Sequence, residues 1–157
     1  MNYPKLVRVA VCATLLCSAF ALPVTAASAS SSSIRAALKS YNPRLIVDAG
    51  HIVTAIGEYK TSHNPSGVQA ALATSIAGWR SLRSKVAAQS AVRPHVKAGK
   101  AKLEQGLRGI VVAYTKLNVA FGEHTVSPEA AKVEVANAGI AVDKARAELA
   151  EGVKLLR

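Results

Sequence analysis

The sequence predicts an all-α protein: an up-down-up-down antiparallel four-helix bundle that follows a cleaved signal peptide. Three observations lead there. Apolar residues recur at helical spacing along four long segments. Short breaks marked by proline separate those segments. Alanine is abundant, aromatics make up only 4% of the 157 residues, and no long stretch alternates with period two.

The first element is an export segment. Lys5 and Arg8 form a positive start, and no charged residue follows from Val9 to Leu22. Pro23 and the small residues after it complete the three-part pattern of a signal peptide over residues 1–26, with cleavage after Ala26, or alternatively after Ala29. An uncleaved anchor fits less well, because about 14 apolar residues make roughly 21 Å of helix against a hydrocarbon core of about 30 Å. Both cysteines, Cys12 and Cys17, fall in the segment to be removed. The exported chain is therefore expected to hold no disulfide, no thiolate metal site and no cysteine nucleophile. Residues 27–33 read as a serine-rich linker, and residues 34–157 as one domain held by its core alone.

The first long helix is expected from about Ile34 to Tyr59. Leu38, Leu45, Ile52 and Tyr59 recur every seven residues, with Ala49 and Ile56 beside them. Asn42-Pro43 should kink this helix or split off a short first piece, since proline lacks an N–H and crowds the preceding turn. Asn64-Pro65 opens the second helix as cap and first-turn proline. Its stripe is Val68, Leu72, Ile76, Trp79, Leu82 and Val86. Pro94 opens the third, with Val96, Leu103, Leu107, Ile110, Tyr114, Leu117 and Phe121 on one face. Ser127-Pro128-Glu129 opens the fourth, whose row is Val135, Val142, Leu149 and Leu156. Short connections make consecutive helices antiparallel neighbours. Small residues on or beside the stripes, such as Ala49, Gly78, Gly106, Gly109, Ala138, Ala145 and Gly152, predict closely approaching axes and little room for a cofactor.

Charge is the most informative feature. The chain has 20 basic and 9 acidic residues, net +11, and without Lys5 and Arg8 about +9 remains. No acidic residue occurs between Glu58 and Glu104. Folded as an antiparallel bundle, one end collects 13 cations against Glu104, Glu148 and Glu151, while the other half is close to neutral. Such clustering is unfavourable for folding through self-repulsion, which motivates a polyanionic partner. The candidate polyanion-binding residues are Arg35, Lys39, Arg80, Arg83, Lys85, Arg93, Lys97, Lys100 and Lys102. A surface rich in basic residues and poor in aromatics reads backbone charge and not base identity, and export favours an anionic envelope polymer or membrane surface over nucleic acid.

Catalytic chemistry finds little support. Neither a Gly-x-Ser-x-Gly elbow nor a phosphate-cradling Gly-x-x-x-x-Gly-Lys run is present, and Glu-x-x-His pairs of the di-iron type are absent. The nearest approach is Asp48-Ala49-Gly50-His51, with His51 placed on the solvent side by helical geometry. His63 and His124, with Glu58 and Glu123 near them, form a weak candidate metal or pH-sensitive site. No cofactor and no catalytic residue are expected. The leading expectation is an exported, non-enzymatic bundle docking by its basic end on an anionic polymer. One alternative is a protein–protein interaction module using leftover apolar surface such as Ile46, Val47 and Val112. Another is a metal or haem binder at the His63/His124 end.

Overall fold

The structure, a computed structural model, describes residues 29–123 and 128–157. Within them are four helices and no strand: α1 (Ala29–Ser62), α2 (Ser66–Ala87), α3 (Pro94–Glu123) and α4 (Pro128–Leu155). The fold class is all-α, as the periodicity predicts. The export segment 1–26 and His124 lie outside the described residues. No helix among the described residues is long and apolar enough to cross a membrane.

Every residue of the four predicted apolar stripes is buried, and together they form one core. Trp79 belongs to that core at 1% exposure, so it stacks nothing from solvent. Tyr59 and Phe121 meet edge to face, ring centres 5.2 Å apart, and join the end of α1 to the end of α3.

Two details of α1 differ from the sequence reading. Its first turns include Ser31, Ser32 and Ser33, which composition alone assigns to a linker. Serine is only a mediocre helix former, by roughly half a kcal/mol against alanine. Here Ser31 and Ile34 are buried, and packing outweighs that weak preference. The helix also runs without a break through Pro43. Pro43 and Lys39, whose carbonyl loses its partner, are both exposed, so water can serve that carbonyl.

The turns follow ordinary capping chemistry. His63 takes a left-handed φ of 54°, and its N–H donates to the Tyr59 carbonyl at 2.9 Å, closing α1. Asn64 Oδ1 then accepts the Ser66 N–H at 3.0 Å, and Pro65 already has helical dihedrals, as the Asn-Pro pair predicts. At the other end of α2, Lys100 Nζ donates to the carbonyls of Ala87 and Gln89 at 2.6 and 2.7 Å. A cation there suits the negative end of the helix.

Register is fixed by specific contacts. Tyr41 and Ser81 share a 2.6 Å hydrogen bond between α1 and α2, while Asp48 lies against Gly78. Between α3 and α4, Gly99 faces Gly152 and Leu156, and Gly106 faces Ala145 and Leu149. In both pairs residue numbers rise along one helix as they fall along the other. The backbones of α3 and α4 approach closely along their length, whereas among the described residues no Cα of α1 comes within 8 Å of one in α4. Side chains alone bridge that last gap, among them Arg35, whose Nη2 donates to the Leu156 carbonyl.

Candidate functional site

The contacts that set register also gather charge. Arg35 reaches Leu156, Gly99 packs on Gly152 and Leu156, and Lys100 caps α2. The start of α1, the end of α2, the start of α3 and the end of α4 therefore share one end of the molecule. Arg93 and Lys97 stand exposed where the chain passes from α2 to α3. Lys39 is exposed one turn beyond Arg35 on α1.

The nine candidate residues divide into two groups. Four are engaged within the protein. Arg35 holds the chain end, and Lys85 Nζ lies 5.2 Å from the centre of the Tyr41 ring. Lys100 caps α2 and lies 3.6 Å from Glu104. Lys102 meets Glu148 at 2.9 Å and Glu151 at 3.1 Å. The hydrogen bond to Glu148, followed by that to Glu151, raises the Lys102 ammonium above its ordinary pKa of 10.5. The side chains of the other five, Lys39, Arg80, Arg83, Arg93 and Lys97, have no hydrogen bond or ion pair with the described residues. Sequence reasoning placed the carboxylates at the right end but could not say which cations they would occupy.

Arg80 and Arg83 sit away from the tip, on the flank of α2 that faces α3. With Ser84, Ala87 and Val111 they line an open groove of ≈ 390 Å³. Val111 lies three residues beyond Arg108, which with Lys60, Lys116, Lys132 and Lys144 makes up the cations of the half that antiparallel folding leaves close to neutral. The basic surface is thus an end plus one flank, and the dividing line drawn from sequence cuts across this groove.

A second groove, ≈ 330 Å³, runs between α1 and α2 and is lined in part by Asp48, His51, Glu58 and Thr74. Asp48 is 6% exposed, its Oδ2 accepts no hydrogen bond, and the Arg44 Nε is 3.8 Å away. Burial of Asp48 was not foreseen. It lies at the edge of the stripe, and its carboxylate packs against Gly78 on α2, where a β-carbon would come within 3.1 Å of Oδ2. His51 is exposed, as its helical position predicts.

His63 is exposed at the end of α1, and its ring lies edge-on to Tyr59 with centres 6.3 Å apart. Among the described residues no three of His, Cys, Asp and Glu come together in a way that would hold a metal.

No protein-family model matches the chain, and no similar curated protein or solved structure was found. The functional reading therefore rests on the geometry above.

Proposed function

We propose that this chain is an exported, non-enzymatic helical bundle of up-down-up-down topology that docks through its basic end on an anionic envelope or extracellular polymer. The observation that carries the reading is the convergence of four helix termini at one end, with Lys39, Arg93 and Lys97 unpaired there and Arg80 and Arg83 unpaired on the adjoining flank. Unpaired surface cations attract a polyanion by releasing its counterions, so binding weakens steeply with salt.

The test is retention of the chain from Ala27 onward on purified wall polymer or anionic vesicles across a salt series. Retention at low salt and release at high salt are expected, with Arg93→Glu/Lys97→Glu weakening binding and flattening its salt dependence. No retention at low salt, or retention indifferent to salt, overturns the reading. Export is tested separately by the N-terminal residue of protein recovered outside the cytoplasm. Ala27 is expected, or Ser30 for the alternative cut.

A specific observation favours a second reading, a self-association module. Ile46, Gly50, Val53 and Gly57 form one exposed stripe along α1, and nothing lies within 4 Å of a β-carbon placed on either glycine. The stripe is self-complementary about its midpoint. An antiparallel copy would set Ile46 on the partner's Gly57 and Val53 on the partner's Gly50. Sedimentation showing a strict monomer at every concentration excludes it.

A further inference from the structure

The groove on the flank of α2 has the chemistry of a phosphate seat. Arg80, Arg83, Ser84 and Ala87 are spaced at i, i+3, i+4 and i+7, so they occupy one side of the helix, and Val111 of α3 closes the far wall. No acidic residue lines the groove. The nearest carboxylate in sequence on α3, Glu104, is committed to Lys100. Neither guanidinium has a partner among the described residues. Arg83 is half-buried, so its side chain lies along the groove instead of projecting freely from the helix.

We propose that this groove binds the phosphodiester groups of a flexible anionic polymer, with Arg80 and Arg83 gripping one phosphate from two sides and the Ser84 hydroxyl donating to it. The proposal rests on the docking reading and narrows its ligand. The two arginines rise about 4.5 Å apart along the helix. A guanidinium presents N–H donors in a planar fork, and two such forks at this spacing converge on one tetrahedral group. A phosphodiester offers two free oxygens and two ester oxygens in different directions, so both forks and a hydroxyl can donate at once. A carboxylate keeps all its lone pairs in one plane, so a second fork and a hydroxyl must crowd into that same plane to donate as well. Lysine, a point charge, would not make this distinction.

The shape of the site favours a polymer over a lipid surface. The groove lies along a flank between two helices, where a strand can settle and a flat bilayer cannot reach the buried Val111. Trp79 and Phe121, which would anchor a membrane interface, are both buried.

The experiment measures binding of the mature chain to synthetic poly(glycerol phosphate), to polyglutamate of equal charge number, and to phosphatidylglycerol vesicles, compared at one low ionic strength and then challenged with high salt. Poly(glycerol phosphate) is expected to bind at least about tenfold more tightly than polyglutamate. The charge-conserving Arg80→Lys/Arg83→Lys variant should reduce that preference to threefold or less, with helicity and melting temperature unchanged. Ser84→Ala should weaken phosphate binding about two- to threefold. If both polymers bind wild type equally and salt releases them, docking stands and this groove assignment falls. The assignment also falls if the lysine variant keeps its preference, or if vesicles bind and the soluble phosphate polymer does not. If nothing binds at low salt, both readings fail together.

Discussion

The seam between α3 and α4 and the outer face of α1 use glycine in opposite ways. At the seam, a β-carbon on Gly106 would lie 2.7 Å from Leu149 Cγ and 2.8 Å from the Ala145 carbonyl oxygen. On Gly152 it would lie 2.8 Å from Leu103 Cγ and 2.9 Å from the Gly99 carbonyl oxygen. These glycines let two backbones touch, and their neighbours include main-chain atoms that cannot rotate away. On α1, Gly50 and Gly57 face open space. A glycine in a helix interior loses roughly 0.5–1 kcal/mol against alanine. At the seam, close packing offsets that loss. On α1 nothing among the described residues does. The difference teaches that one pair of helices is locked by backbone proximity, while α1 is held by larger side chains and keeps a spare surface.

Four sets of changes would break or sharpen this contrast. The largest effect is expected from Leu149→Ala, which removes a fully buried side chain at the seam and should lower stability by about 2–5 kcal/mol in denaturant titration. Gly106→Ala and Gly152→Ala should each cost about 1–3 kcal/mol by overpacking. Combined with Leu149→Ala, Gly106→Ala should cost less than it does alone, because two of its three close contacts are Leu149 atoms. Additive losses would mean that the clash with the Ala145 carbonyl dominates.

Gly50→Ala and Gly57→Ala should do the reverse and stabilise the monomer by about 0.4–1 kcal/mol, read as a raised melting temperature. If either destabilises, that face is occupied, and sedimentation of the same variants will tell whether a second copy occupies it.

The smallest effect concerns pH. The Lys102 ammonium titrates above its unfolded value of 10.5, because Glu148 and Glu151 stabilise its charged form. Its contribution is therefore fully present below 10.5 and is lost as pH rises through the raised folded value. The stability difference between wild type and Lys102→Met should stay flat from neutral pH to about 10 and shrink beyond it. A difference that shrank well below pH 10 would show that Lys102 gains little from the two carboxylates.

Much of the fold was legible because helical burial is periodic. Rows such as Leu38, Leu45, Ile52 and Tyr59 name their own buried face, and Asn64-Pro65 marks a helix start by local chemistry alone. The serines of the first turns were misassigned because composition weighs residues singly, while Ser31 and Ile34 are helical through what they pack on. The engagement of Lys100 and Lys102 could not be read from a list of charges. A side chain reaching a helix end or two carboxylates on another helix depends on register between segments some 11 to 50 residues apart.

By itself the sequence determined four amphipathic helices, their breaks, and an excess of positive charge concentrated in particular stretches, because each of these follows from local spacing and composition. Tertiary structure alone decided which cations remain unpaired, that Asp48 is buried beside Gly78, and that Arg80 and Arg83 share a groove with Val111. These depend on the lateral position and axial register of whole helices. Those are set where side chains of one helix meet gaps in another, a match that no single segment encodes.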